Sequence, residues 1–441
     1  MKKLTEKNRM EIPWKEFSLH NGNIPVKQAS LYEKAVIIGR LGLELLSCGT
    51  GAWRVRSSMN SVSKKLGISC CVDIGLMNLS FNCFDGSECI SQSFCLTKTG
   101  INMFKLYKLE QFIKKFSKEG ANLTVAQLHQ KFDEFDETKN LYSRLQQSFA
   151  SALACGAFTF LLGGGLWEMV LAFIGAGVGT AVRTKLLKRK YTLFMNVAIS
   201  VSAACLTYAI LFRLLNLIFG LDTVHQSGYI CAMLFIIPGF PFITSGIDFA
   251  KLDFRSGIER LVYALIIILV ATLSAWIMAL ILNLKPVDFN PLNLPIYLKI
   301  IFRIIASFCG VFGFSIMFNN PLKITAIASC IGAVANTFRL ELVDLCHFPP
   351  AAAAFCGALV AGLLASLLKR HFGYPRISIT VPSIVIMVPG LYIYKGIYNL
   401  GIMSLHESAS WLCAALLIAV SLPLGLVTAR ILTDRTFRHS L

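Results

Sequence analysis

The pattern of apolar and polar positions changes character once along this chain, near residue 149. Before that point apolar residues recur at short intervals. From Ser30 to Cys48 they follow a helical period, and a second helix is expected through Arg54 to Leu66. Three β-type runs follow, Ser69 to Ile74, Met77 to Cys83 and Glu88 to Leu96, and residues 102 to 118 return to helical spacing. Thr124 and Gln127 form a capping-box pattern. Leu128, Phe132, Phe135, Tyr142, Leu145 and Phe149 make one apolar stripe, so a single helix is expected to start there and run onward past 149.

Beyond 149 the apolar residues come in long unbroken runs. Segments long enough to cross about 30 Å of hydrocarbon fall near 149–164, 166–182, 192–218, 229–247 and 260–283. A second set covers 297–318, 322–338, 350–368, 377–398 and 409–429. The fold class predicted is a polytopic α-helical membrane protein with about ten transmembrane helices, behind an N-terminal α/β cytosolic domain. Its expected parts are a polar tail (1–29), the cytosolic domain (30–148), two five-helix membrane repeats (149–283 and 297–432) and a cytoplasmic tail (433–441). Gly163-Gly164-Gly165 leaves the first two runs barely long enough to cross, so one of them is expected to be tilted or re-entrant.

The two sets carry matching punctuation. Pro238-Gly239 interrupts the fourth run of the first set and Pro389-Gly390 the fourth run of the second; Gly177 to Arg183 corresponds to Ala333 to Arg339 in the second runs. An odd number of crossings per set forces opposite orientations, which is the inverted-repeat logic of secondary transporters. Proline removes a donor and clashes with the preceding turn, and glycine relaxes the backbone. Helix-end N–H and C=O groups are thereby freed to face a cavity.

Charge then sets the orientation. The net charge is +18, with 21 Lys+Arg and 14 Asp+Glu in residues 1–148 and 21 Lys+Arg and 10 Asp+Glu in the remainder. In the apolar part the cations cluster between runs, at Arg183 to Lys190, Lys251 to Arg260, Lys369 to Arg376 and Arg430 to Arg438. This is the distribution that cytoplasmic loops and anionic lipid favour, and not that of a nucleic-acid binder. Both termini are expected to be cytoplasmic, in the inner membrane of the cell. The start of the chain has no apolar stretch of the kind a cleaved signal peptide needs. Lys299 and Arg303 fall near the outer end of their run, against the rule, so they face a pore or interface unless the boundary is displaced.

The chemistry is sparse. Fourteen cysteines lack C-x-x-C spacing and read as small hydrophobes, giving neither a zinc site nor a disulfide frame. The acids Asp133 to Glu137 read as a solvated face, not a metal site. No Walker loop and no nucleophile motif is present; Ser61 to Lys64 and Lys98 to Gly100 mimic penicillin-binding motifs at the wrong separation. No cofactor, metal or catalytic residue is expected, although a membrane-integral hydrolase and a passive channel remain as other classes. What stands out are polar groups in or beside apolar runs: Glu168, Asn196, Arg213, Ser245, Asp248, Asn320, Tyr394 and Lys395. Ionisable groups there cost a few kcal/mol, which marks them as functional or paired. Glu168 and Asp248 are the candidate proton-coupling acids. Pro238, Gly239, Ser245, Asp248, Asn196, Asn320, Pro389, Gly390 and Tyr394 are the candidate substrate-binding positions, around two broken helices.

These residues carry a family resemblance. Pro238-Gly239, Ser245-Gly-Ile-Asp248 and Gly257-Ile-Glu-Arg260 resemble the threonine/serine exporters, as do Gly42 to Leu46, Gly49, Arg54-Val55 and Leu66-Gly-Ile68 before them. Asn320-Pro321, Gly332, Val388-Pro389-Gly390 and Tyr394 are similar to the C-terminal module of that family, so the fused form of two modules is expected. One position departs: the family usually places an acid after the Arg-Val pair, and this chain has Arg56. The resemblance implies export of small hydroxy amino acids from the cytoplasm, driven by the proton gradient in antiport. Relatives built as two chains are associated with dicarboxylate export, which is the alternative substrate class. The partners implied are the amino acid and the lipid bilayer, with homo-oligomerisation left open.

Overall fold

The computed structural model describes residues 12–14, 22–119, 122–220, 222–289 and 292–438. Residues 1–11 and 15–21 of the expected polar tail lie outside the described residues. The chain divides into two compact units: Met1–Asn140 with Asp248–Glu259, and Leu141–Ile247 with Arg260–Leu441.

The first unit is a small α/β body. It contains α1 (Leu31–Ser47), α2 (Ala52–Lys65), β1 (Ser69–Ile74), β2 (Asn78–Phe84), β3 (Cys89–Cys95), α3 (Met103–Glu119) and α4 (Val125–Asp136). Ser30 and Glu33 cap α1 reciprocally: Glu33 N–H donates to Ser30 Oγ at 3.3 Å and Ser30 N–H to Glu33 Oε2 at 3.0 Å. The strands form an antiparallel meander in the order β1-β2-β3, with Val72 opposite Phe81. Alternation along β2 buries Leu79, Phe81 and Cys83 on one face. That face meets α1 at Gly39 and Gly42, where a Cβ would fall 2.5 Å from Phe81 and 2.6 Å from Leu79, so only glycine lets sheet and helix close.

Arg40 is 1 % exposed in this unit. Its guanidinium donates to the carbonyl of His129 at 3.2 Å and to Asp133 at 2.5 Å, and lies 5.5 Å from the ring centre of Phe132. Glu44, buried on the same helix, pairs with Lys105 at 2.5 Å, and Lys105 also reaches Asp136 at 3.1 Å. The acids of Asp133 to Glu137 are largely open to solvent, yet Asp133 and Asp136, about half exposed, also hold the buried cations Arg40 and Lys105, because α4 turns them toward α1 and α3.

Burial pushes the Glu44 carboxyl up to about 7, Lys105 opposing, while burial and the Arg40 charge push His129 down to about 4. Raised Glu44 contributes stability that is lost as pH rises from its unfolded value through about 7. Depressed His129 contributes stability that is lost as pH falls from its unfolded value through about 4. The two slopes oppose each other across mildly acidic pH. Glu44→Gln removes one, so hydrogen exchange in α1 and α4 of the full-length variant is expected to show protection rising by about 3 kcal/mol from pH 4 to 7, where the wild type is nearly flat. A flat variant profile would contradict this balance.

Asp248–Glu259 completes the first unit from far along the chain. The Asp248 carboxylate accepts from the backbone N–H of Ala52 at 3.0 Å, where α2 starts, and from Ser256 Oγ at 2.9 Å. It supplies the cap that Gly51 cannot, since the N-terminal N–H groups of α2 have no acceptor of their own. Arg56 pairs with Asp253, Arg255 with Asp73, and Glu259 accepts from Leu76 N–H at 2.6 Å.

The second unit is helical: α5 (Arg144–Leu161), α6 (Leu166–Lys188), α7 (Leu193–Phe219), α8 (Tyr229–Ala232), α9 (Gly239–Phe249), α10 (Phe254–Leu282), α11 (Ile296–Met317), α12 (Leu322–Asp344), α13 (Pro350–Phe372), α14 (Ile377–Val385), α15 (Gly390–Gly401), α16 (Leu405–Thr433) and α17 (Arg435–Arg438). The last two residues of α9 and the first six of α10 belong to the first unit. Among the described residues seven helices are long and apolar enough to cross a membrane, or up to nine if each of two bent pairs is one span. The run at 149–164 is not among them. It forms the later part of α5, an 18-residue helix that opens on Arg144, Gln146 and Gln147.

The single helix expected from Thr124 past 149 is two. The capping box at Thr124 is present, with Gln127 N–H on Thr124 Oγ1 at 3.3 Å, but α4 stops at Asp136. A second box starts α5, where Gln146 N–H donates to Ser143 Oγ at 3.3 Å and Ser143 N–H to Gln146 Oε1 at 2.8 Å. The apolar stripe carried over the break because Tyr142 packs as a loop residue, its hydroxyl donating to the carbonyl of Asn320 at 2.6 Å.

Candidate functional site

Each fourth apolar run is broken where its Pro-Gly stands. In the first, the stretch His225–Ile236 meets α9 at a bend of 55°; in the second, α14 meets α15 at 48°. The backbone repeats itself at both breaks. Gly239 N–H donates to the carbonyl of Ile237 at 2.9 Å, and Gly390 N–H to that of Val388 at 2.8 Å. The carbonyls of Pro238 and Pro389 then accept from Phe242 and Ile393, at 3.2 and 3.1 Å.

The breaks also pack on each other. A Cβ on Gly239 would fall 2.6 Å from Val385 and 3.2 Å from Val388, while one on Gly390 would collide with Ile237 and lie 3.2 Å from Leu234. Leu234, Ile237 and Gly239 correspond to Val385, Val388 and Gly390 at one constant offset in sequence, so the contact is reciprocal. A void of about 10 Å³ remains among these residues, Phe158 and Phe314. It has room for roughly one water and none for an amino acid. Beside the breaks the hydroxyls of Tyr229 and Tyr394 are 2.6 Å apart, both rings buried, joining the first bent pair to the second.

A larger cavity, about 490 Å³, opens on one side of the second break, where Val388, Pro389 and Gly390 form part of its wall. This is the size range of small-molecule sites. Lys299, Arg303, Arg339 and Lys395 line it, with Asp288 and Asp344. Lys299 is 2.7 Å from Asp344; Arg303 is 2.6 Å from Asp344 and 2.7 Å from Glu341; Lys395 pairs with Asp288 and lies 4.5 Å from the ring centre of Trp411. The two cations that broke the charge rule thus face a cavity, each with an acid partner.

Glu168 sits at the start of α6, after the three glycines, and is 3 % exposed. Its Oε1 is 2.6 Å from His225 Nδ1, and among the described residues its buried Oε2 has no hydrogen-bond partner. His225 in turn is held through its backbone carbonyl by the Tyr208 hydroxyl at 2.5 Å. His225 and Tyr208 carry no signal in the sequence, because which acid a loop histidine meets is a tertiary fact.

The remaining candidates scatter. Asn196 donates to the carbonyl of Arg183 at 3.2 Å, and Ser245 to that of Phe242 at 2.9 Å, so both side chains are occupied by backbone. Asn320 donates to Ser315 Oγ and to the carbonyl of Ser378, each at 2.9 Å, and its buried Oδ1 is without a partner. Asp248 serves α2 in the first unit. The structure brings together Pro238, Gly239, Pro389, Gly390 and Tyr394, and groups Glu168 with His225 instead of Asp248. Among the described residues no group of three or more His, Cys, Asp or Glu is placed to hold a metal.

A family model described as a putative threonine/serine exporter matches residues 36–283, and a second, described as threonine/serine exporter, matches residues 303–432 of the same chain. The chain belongs to the threonine/serine exporter family. A threonine/serine exporter of Corynebacterium glutamicum is 25% identical over 381 residues, covering 82% of this chain and 74% of that protein. An uncharacterized protein of Haemophilus influenzae is 30% identical over 107 residues, 23% of this chain and 34% of its own length. No solved structure matches. As a member of the threonine/serine exporter family the chain is a polytopic helical membrane protein of a transporter family, and that family is not one of enzymes. Both modules are fused here, the first ending where α10 ends.

Proposed function

We propose that the chain is a proton-coupled secondary exporter of threonine and serine, working in antiport, whose substrate passes the two Pro-Gly breaks. The observation that carries this is the reciprocal packing of those breaks. Two corresponding helix interruptions that seal on each other, with a cavity opening beside the second, fit a carrier held in one of its closed states.

The architecture behind the proposal is two inverted five-helix repeats, α5 to α10 and α11 to α16, with the chain termini cytoplasmic in the inner membrane. Matching lengths support it: α6 and α12 both have 23 residues, and α10 and α16 both have 29. In this reading α5 is the tenth crossing, and the cavity, reached past Lys299, Asp344 and Lys395, is outward-facing. Glu168 carries the coupling proton. The cytosolic unit regulates or gates.

A second reading, dicarboxylate export, is favoured by one observation: four cations against two acids line the cavity. Purified protein in vesicles preloaded with labelled threonine, serine or succinate separates the two. Threonine and serine efflux is expected to exceed that of protein-free vesicles at least tenfold when the outside is acidified, and to collapse with a protonophore. Efflux of succinate alone would replace the first reading by the second, and no efflux of any of the three would end both.

A further inference from the structure

Among the cations that line the cavity at the second break, Arg339 stands apart. Lys299, Arg303 and Lys395 each meet a carboxylate. Arg339 has no hydrogen-bond or ion-pair partner among the described residues, and its Nε is buried. An arginine cannot shed its proton to escape such a position, and leaving it without an acceptor is costly. Its neighbours give no relief. Glu341 and Asp344, the acids on its own helix, are engaged by Arg303, and the charge of Arg303 itself repels it.

We propose that Arg339 is the carboxylate-binding residue of the exported substrate, taking the α-carboxylate on its planar fork while the substrate occupies the 490 Å³ cavity. The inference rests on the exporter reading and assigns to it a chemical class of ligand and a residue. A planar guanidinium with free N–H groups matches the two oxygens of a carboxylate, which a point-charge ammonium does not. Asp288 and Asp344 line the same cavity, and the carboxylate oxygens their cation partners leave open, Asp288 Oδ2 and Asp344 Oδ1, are the acceptors for a substrate ammonium. The residue has a counterpart: Arg183 on α6 and Arg339 on α12 are each the eighteenth residue of a 23-residue helix. Under the inverted-repeat reading they stand on opposite sides of the membrane, one for each access state.

The test is threonine counterflow in vesicles carrying purified wild type, Arg339→Gln or Arg339→Lys, with threoninol, which lacks the carboxylate, as competitor. Wild type is expected to prefer threonine to threoninol strongly. Arg339→Gln is expected to raise the half-saturating threonine concentration at least tenfold, about 1.4 kcal/mol, and to lose that preference. Arg339→Lys, which keeps the charge without the fork, is expected to fall between the two. A merely structural role would lower the maximal rate and leave the threonine-to-threoninol ratio in place. An unchanged ratio in Arg339→Gln overturns the assignment. An inactive wild type overturns the exporter reading itself, and the two failures are thereby distinct.

Discussion

Glu168→Gln is expected to abolish the response of threonine export to a pH gradient, lowering gradient-driven efflux by about a hundredfold while threonine exchange across the membrane persists. The reason is positional. The carboxyl is 3 % exposed, one oxygen is engaged by His225, and the other is buried and unsatisfied. A buried carboxylate with an open oxygen is a place for a proton to arrive and leave. Glutamine preserves the shape and the contact with His225 but has no proton that it can release or take up by ionisation. Exchange of labelled threonine against unlabelled threonine needs no net proton movement, so it serves as the internal control for folding. Full stimulation by a pH gradient in the variant would rule Glu168 out as the coupling group.

Gly390→Leu is expected to cut export at least tenfold at equal membrane abundance, and Gly239→Leu to do the same. Even a methyl at Gly390 would collide with Ile237, and one at Gly239 would sit 2.6 Å from Val385. Overpacking of this kind costs about 1–3 kcal/mol, paid where the two breaks seal on each other. The larger side chains wedge the seal and leave the carrier unable to close on that side. Efflux at wild-type rate in both variants, measured in the same vesicles, would show that the breaks are ordinary kinks.

Much of this was legible beforehand, for identifiable reasons. The strands Ser69–Ile74, Asn78–Phe84 and Cys89–Cys95 lie within two residues of the alternating runs, because a sheet with one buried face writes its period into the sequence. The Pro-Gly breaks were legible because proline and glycine act locally. The break between α4 and α5 was not, since apolar spacing continued across Thr138 to Ser143 and only the second capping box, Ser143 with Gln146, marked it. Asp248 borders an apolar run, which is all that periodicity shows of it. Its hydrogen bond to the start of α2 spans 196 positions, and no periodicity encodes such a distance. His225 stayed hidden for the same reason. Arg303 was flagged as misplaced by charge alone, and its acid partners Glu341 and Asp344 explain why it is tolerated there.

The first unit is discontinuous in sequence, and this sets an order of events during synthesis. The cap on α2 and the partner of Arg56 lie in Asp248–Glu259, so residues up to Asn140 emerge from the ribosome well before the segment that completes them. At roughly 5–20 residues per second the wait is on the order of ten seconds. During that interval α5 to α9 are synthesised, the long apolar α6 and α7 among them. Until then the nascent unit carries an unfinished helix start, and its maturation reports that the helices from α5 to α9 have been made.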